Sequence, residues 1–135
     1  SHADGLVGEG LSSTKEIDRD HAKVMIDALR TTTADSKEIT ELLRLMKREN
    51  VVLDETLLVV AGAASDPDNP NLERHKKQFE FACQVTRRAR EMGVAVAAGT
   101  DGIGGSSPNL HAELQLLVKK SGFTPLEAIT AATLN

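Results

Sequence analysis

Hydrophobic residues recur every three to four positions along much of this chain, which is the spacing of an amphipathic helix. The clearest case is residues 36–49, where four large apolar side chains share one face: Ile39, Leu42, Leu43 and Met46. Similar spacing and helix-end signals predict further helices over residues about 16–30, 71–92, 107–121 and 124–133. The pattern therefore predicts five helices.

Two segments replace this periodicity with continuous apolar runs. Residues 94–99 read Val-Ala-Val-Ala-Ala-Gly, and residues 51–60 form a second run that two acidic residues interrupt. Such runs are typical of parallel strands buried on both faces. A loop rich in Pro, Asn and Asp is predicted over residues 61–71. The alternation of helices and strands favours an α/β fold with right-handed crossovers and a parallel sheet.

Composition limits the class of protein. The 135 residues suffice for one domain or part of one, and a formal net charge of −4 with 40% hydrophobic residues is ordinary for a globular chain. With no Trp, no Tyr and three Phe, the chain lacks the stacking platforms of a nucleic-acid interface. No apolar run approaches the ~18 residues of a membrane span, and no signal-peptide pattern is present. We therefore expect a cytoplasmic protein that binds neither nucleic acid nor membranes, with its single cysteine, Cys83, in the core.

Asp101 is the leading candidate for a functional residue. It follows the predicted strand 94–99 after one intervening residue, Thr100, and α/β folds collect ligands and catalytic groups at the carboxyl ends of their strands. Spacing alone leaves two roles open: a cap for the following turn, or a metal ligand and general base. The Gly-rich segment 102–107 is a weak phosphate-site candidate because no Lys-Ser/Thr pair follows it. An active-site loop is the better interpretation.

The four histidines differ in their surroundings. His21 and His75 lie in predicted helices among charged neighbours, so both are predicted to be solvated surface residues. His111 lies near the start of the helix after the Gly-rich segment, where it could orient the loop or touch a ligand. His2 follows Ser1 at the beginning of the sequence, and a Ser-His start is also what a cleaved purification tag leaves behind.

Four motifs in residues 94–135, taken together, closely resemble the amidohydrolase superfamily. They are Gly99-Thr100-Asp101, Leu110-His111-Ala112-Glu113-Leu114, Gly122-Phe123-Thr124-Pro125-Leu126-Glu127-Ala128-Ile129 and Ala132-Thr133-Leu134-Asn135. The similarity is to the metal-dependent branch with imidazolonepropionase-like and prolidase-like enzymes. It falls on the last strand and closing helices of their (β/α)8 barrel. It implies that residues 1–135 are a C-terminal fragment of such a barrel: a partial TIM barrel with strands six or seven to eight.

The resemblance also implies roles for individual residues. Asp101 would ligate a metal, Zn²⁺ or another divalent ion, and act as base toward the hydrolytic water. His2, in a His-Ala-x-x-Leu segment similar to the one after strand six, would be a second metal ligand. Thr100 and His111 are weaker candidates for contacts to substrate or loop. The implied reaction is hydrolysis of an amide or other C–N bond in a small-molecule substrate.

This sequence departs from the family pattern in its metal ligands. The His-x-His pair of strand one, the bridging Lys or carboxylate of strand four and the His of strand five have no counterpart here. A catalytic zinc needs about three protein ligands. The alternative is therefore a catalytically inactive fragment that folds only as an oligomer, with Asp101 capping its loop. In both cases, exposed apolar edges predict association, either as a homo-oligomer or with the missing N-terminal portion of the barrel.

Overall fold

A computed structural model describes residues 32–100 and 108–133 of the chain, which form five helices and two short strands. In chain order these are α1 (Lys37–Arg48), β1 (Leu53–Glu55), α2 (Leu57–Ser65), α3 (Leu72–Met92), β2 (Val96–Ala98), α4 (Pro108–Ser121) and α5 (Pro125–Thr133). None of the helices in these two ranges combines the length and the hydropathy that crossing a membrane requires. The helix predicted over residues 16–30 lies outside the described residues.

The two strands pair in parallel, as the alternation of elements predicted. Leu53 faces Val96 and Glu55 faces Ala98 in the register of the sheet. The chain passes from β1 through α2 and α3 before it returns to β2. The described residues therefore form an α/β structure in which two strands end at the same edge of a sheet.

Local signals place several helix ends where the sequence predicted them. Ser36 begins α1, and its Oγ accepts a hydrogen bond from Ile39 N at 3.3 Å. Gly93 ends α3 with a φ of 75°, the left-handed conformation that glycine adopts without strain. Thr124 and Glu127 form a capping box at α5: Glu127 N donates to Thr124 Oγ1 at 3.2 Å, and Thr124 N donates to Glu127 Oε2 at 2.7 Å.

The strand predicted over residues 51–60 is wrong in its second half. The strand ends at Glu55, and Leu57–Ser65 is a helix. The loop predicted from residue 61 consequently starts only after Ser65. A short apolar run fits a buried strand and a buried helix equally well, so periodicity alone does not separate them. Contacts from a distant helix decide the outcome here.

The core is built from aliphatic side chains at the junction of strands and helices. Leu43 of α1, Leu53 of β1, Leu57 of α2 and Leu117 of α4 are all at most 1% exposed. Arg88 of α3 connects this helix to α1 and to the residues before it. It donates hydrogen bonds to Ala34 O and, at 2.8 Å, to Thr40 Oγ1 in α1. Phe81 and Phe123 are the aromatic members of this core among the described residues. The other buried hydrophobic residues among those described are aliphatic, apart from Met46 and Cys83.

Candidate functional site

The carboxyl ends of β1 and β2 form the candidate functional site. We define the carboxyl edge by four residues at these ends: Asp54, Thr56, Gly99 and Thr100. Gly99 N donates to Glu55 O at 2.7 Å, which extends the pairing one residue beyond β2. Asp101 follows Thr100 directly in the sequence, but Asp101 and the Gly-rich segment after it lie outside the described residues. The structure thus describes the sheet edge next to Asp101 and not Asp101 itself.

Asp54 brings an exposed carboxylate to this edge. Along β1 the burial alternates, so Leu53 and Glu55 are buried whereas Asp54 is exposed. A Cβ at position 99 would lie 2.7 Å from Asp54 Oδ1, which shows how closely this carboxylate approaches Gly99. Sequence reasoning recognised Asp54 merely as one of two acids that interrupt an apolar run. The missing signal was the register that places it beside the Gly99 end of β2.

Glu113 is the second residue whose role sequence reasoning missed. It lies on α4 and is fully buried. Its Oε1 accepts a hydrogen bond from Leu57 N at 2.9 Å, and its Oε2 accepts one from Leu58 N at 2.7 Å. The side chain of Thr56, at the N-cap position of α2, makes no capping hydrogen bond. The carboxylate of Glu113 therefore satisfies the free amides at the start of α2, where the helix dipole also favours a negative charge.

The surroundings of Glu113 raise the pKa of its carboxyl to near neutral pH. Burial raises the pKa of this carboxyl to about 7, and the negative charge of Asp54 acts in the same direction. The hydrogen bonds from Leu58 N and Leu57 N favour the charged form and oppose these effects. Burial prevails, so Glu113 changes its charge near neutrality.

Cys83 of α3 is buried, as predicted for a core residue. Burial raises the pKa of its thiol to about 11, and the negative charge of Glu55 contributes to this increase. The hydroxyl of Ser121 acts in the opposite direction. Because the thiolate is the nucleophilic form, this environment is that of an inert structural cysteine.

The other predicted site residues differ in exposure, and one of them lies outside the described residues. Thr100 is partly buried at the carboxyl edge, whereas His111 lies exposed on α4. His2 lies outside the described residues, as does His21. His75, predicted to be a solvated surface residue, is partly buried, and its Nδ1 forms a hydrogen bond with the Asn69 side chain. This hydrogen bond links the loop before α3 to the first turn of the helix.

The described carboxylates do not by themselves fit a metal centre. Within residues 32–100 and 108–133, no three His, Cys, Asp or Glu side chains lie close enough together to hold a metal ion. Glu113 uses both oxygens on the amides of α2. The two predicted ligands, Asp101 and His2, are outside these ranges.

A pocket of about 320 Å³ lies at the opposite end of β2 from the carboxyl edge. Its lining includes Val94, Phe123 and Leu126. The charged groups on its wall are paired, because Arg90 Nε donates to Glu127 Oε2 at 3.0 Å. The Arg90 guanidinium also lies 5.8 Å from the centre of the Phe123 ring. This pocket therefore has an apolar wall and a neutralised charge pair.

Comparison with known proteins gives one informative likeness. Neither a protein-family model nor a curated protein matches the sequence. The crystal structure of A. niger ochratoxinase is similar, with a TM-score of 0.64 and 26% sequence identity over 87% of this chain. This chain spans 27% of the length of the ochratoxinase chain. Ochratoxinase is an amidohydrolase-family enzyme, so the likeness supports an amidohydrolase-like fold without distinguishing a branch of that superfamily.

Proposed function

We propose that this chain is the C-terminal part of a metal-dependent amidohydrolase barrel that cleaves an amide or other C–N bond in a small molecule. The observation that carries the proposal is the likeness to ochratoxinase, at a TM-score of 0.64 over 87% of this chain. The parallel strands β1 and β2 fit two neighbouring strands of such a barrel. The imidazolonepropionase-like or prolidase-like branch is the branch that the sequence motifs favour.

Asp101 is the central residue of this proposal. It follows the carboxyl end of β2, the edge at which parallel α/β barrels build their active sites. We assign it the roles of metal ligand and general base, and we assign His2 the role of a second ligand. A divalent ion such as Zn²⁺ supplies polarisation of a bound water in enzymes of this kind. Asp101 is the group of this chain that would accept the proton of that water.

We assign two further residues to the proposed site. Thr100 stands at the carboxyl edge, within one residue of Asp101. His111 is exposed on the first turns of α4, so its ring is accessible to a ligand approaching that helix. Each is proposed as a contact to substrate or to the intervening loop. The substrate is a small molecule, and the single cysteine favours a cytoplasmic setting.

Exposed apolar surface supports association of this chain with another polypeptide, which is either a second copy or the remaining portion of the barrel. Leu126 and Ile129 of α5 are 73% and 52% exposed. Among the described residues, β2 pairs with β1 alone, so its other edge offers backbone groups to a further strand. We propose that a homo-oligomer or the N-terminal barrel portion covers this surface.

A second candidate is that this chain is inactive by itself and is stable as an oligomer, with Asp101 capping its loop. The observation that favours it is that the chain spans 27% of the length of ochratoxinase. Because substrate pockets of barrels are built from loops after several strands, a chain of this length contributes only part of such a pocket.

Metal content and hydrolysis distinguish the two candidates. The full 135-residue chain is equilibrated with Zn²⁺, dialysed and analysed for bound metal, together with Asp101→Asn. The control is Asp68→Asn, which changes an exposed aspartate in the loop after α2. Hydrolysis is measured on a panel of amides that includes an ochratoxin.

The first candidate predicts stoichiometric zinc in the unchanged chain and in the control, its loss in Asp101→Asn, and hydrolysis of at least one amide. A chain without zinc and without hydrolysis that forms an oligomer in light scattering would establish the second candidate and refute the first for this chain.

A further inference from the structure

The buried carboxylate of Glu113 joins two elements that are distant in sequence. Glu113 lies in the second turn of α4. Its two carboxylate oxygens accept hydrogen bonds from Leu57 N and Leu58 N, which are 56 and 55 positions earlier in the chain. Capping of helix N-termini is normally local, from a Ser, Thr, Asp or Asn at the N-cap. Here the N-cap residue Thr56 makes no such hydrogen bond, and a distant acid replaces it.

The amides that Glu113 holds lie next to the carboxyl edge. Leu57 follows Thr56, which connects β1 to α2. A Cβ at position 99 would lie 3.0 Å from Thr56 Cγ2, so Thr56 and the end of β2 are in tight contact. Gly99 N also donates to Glu55 O at 2.7 Å. The turn at Thr56 is therefore in direct contact with Gly99, the residue before Thr100.

Among the described residues, the charged and titratable groups around Glu113 come from three elements. β1 supplies Asp54, whose charge acts on Glu113. The same strand contains the buried Glu55. α3 supplies Cys83, whose thiol is affected by the charges of Glu55 and Glu113. Helix α2 and strand β2 contain no titratable side chain. Besides Glu113, the titratable residues of α4 are His111, Lys119 and Lys120, and all three are exposed.

We propose that Glu113 is a positioning residue: by holding the amides of Leu57 and Leu58 it fixes the turn between β1 and α2 and thereby the geometry of the carboxyl edge. The part of this inference that concerns catalysis rests on the proposed function. Protonation of Glu113 weakens its capping of α2, because a neutral carboxyl is a poorer acceptor than a carboxylate. The edge therefore changes its geometry with the charge of Glu113.

Glu127 provides a matched comparison within the same chain. It also caps a helix, through Thr124 N at 2.7 Å, but it does so locally and near the solvent. Its partner Arg90 and its position beside the pocket at the far end of β2 place it away from the carboxyl edge. Replacing Glu127 by Gln thus removes a capping carboxylate without touching the turn at Thr56.

Amide NMR of the ¹⁵N-labelled full chain between pH 5 and 9 tests the proposal. We expect the amides of Leu57, Leu58, Thr56, Gly99 and Thr100 to shift together, with a common midpoint near the Glu113 pKa of about 7. Glu113→Gln should abolish this common shift, and Glu127→Gln should preserve it.

Two outcomes would overturn the proposal. One is a titration of Leu57 and Leu58 that leaves Gly99 and Thr100 unchanged, because Glu113 would then be a local cap only. The other is an unaltered titration of the edge amides in Glu113→Gln. If that variant does not fold, Glu113→Asp replaces it. The shorter carboxylate should move the common midpoint, and an unmoved midpoint would equally refute the proposal.

Hydrolysis is measured separately, so that failure of the proposed function is recognisable. If the chain hydrolyses an amide, Glu113→Gln should lower kcat by about 100-fold through misplacement of the edge, with a smaller change in KM. If the chain neither binds Zn²⁺ nor hydrolyses any amide, the proposed function fails. The amide titration then still decides whether Glu113 positions the carboxyl edge.

Discussion

Gly99 and Asp54 approach each other so closely that a Cβ at position 99 would collide with the Asp54 carboxylate. A Cβ there would lie 2.7 Å from Asp54 Oδ1 and 3.3 Å from Glu55 O. The carboxylate can rotate away, but Glu55 O is backbone and already accepts the hydrogen bond of Gly99 N. A side chain at position 99 would therefore displace the Asp54 carboxylate and press on the backbone of β1.

Gly99→Ala should destabilise the fold by about 1–3 kcal/mol, since an added methyl in a tight contact forces side chains or backbone to move. Equilibrium unfolding in urea measures the change. Gly62→Ala is the matched control, because a Cβ at this helical position meets nothing within 4 Å. It should stabilise by about 0.5–1 kcal/mol, the usual gain of alanine over glycine in a helix.

A double-mutant cycle isolates the contribution of Asp54. In an Asp54→Ala background the shortest contact of the new methyl group is gone, so Gly99→Ala should cost less there than in the unchanged chain. Equal costs in the two backgrounds would mean that the Asp54 carboxylate does not occupy the space beside Gly99.

Glu113 should make the chain less stable as the pH rises toward neutrality. Its pKa in the folded state, about 7, is raised from an ordinary value of 4.5, so the folded chain binds the proton more tightly than the unfolded chain. The resulting stabilisation is fully present below about pH 4.5 and is lost as the pH rises through about 7. Urea unfolding at several pH values should show this slope, and Glu113→Gln should remove it.

Glu113→Leu tests the capping role by a different route. This change leaves Leu57 N and Leu58 N without their acceptors, and unsatisfied buried amides cost about 1–3 kcal/mol each. We expect a loss of about 2–4 kcal/mol, because Leu58 N is only partly buried. A loss below about 1 kcal/mol would show that water or another group replaces the carboxylate.

Glu127 should act on stability in the opposite sense. The hydrogen bonds from Arg90 and then Thr124 lower its pKa from 4.5 to about 2. The stabilisation is present above about pH 4.5 and is lost as the pH falls through about 2. Glu127→Gln should therefore destabilise the chain at neutral pH, and the difference should vanish in strong acid. Glu41→Gln, which alters an exposed pair with Lys37, serves as the surface control.

Cys83 should react slowly with thiol reagents in the native chain. Raising its pKa from 9.0 to about 11 lowers the thiolate fraction at pH 8 by on the order of 100-fold, and burial restricts access further. The rate of reaction with a disulfide reagent, compared with and without urea, measures this protection. Glu55→Gln removes a charge that raises the thiol pKa, so it should accelerate the native reaction. Rapid native labelling would contradict the buried placement of Cys83.

Features that depend on neighbouring residues could be predicted from the amino-acid sequence. The apolar stripe of α1, the left-handed Gly93 after α3 and the Thr124–Glu127 capping box all appear where they were predicted. Each is made by residues only a few positions apart, so backbone propensity and local hydrogen bonding suffice to fix it. The parallel relation of the two strands also followed from the order of the elements.

The conformation of the apolar run after Glu55, and the identity of the acids at the sheet edge, depend on tertiary contacts. Leu57–Ser65 is a helix whose first amides are held by Glu113, a residue 56 positions away. Asp54 gains its place because the strand register sets it beside Gly99. Both outcomes depend on contacts between distant segments, and a periodic pattern along one segment contains no information about the carboxylate that another segment brings to its end.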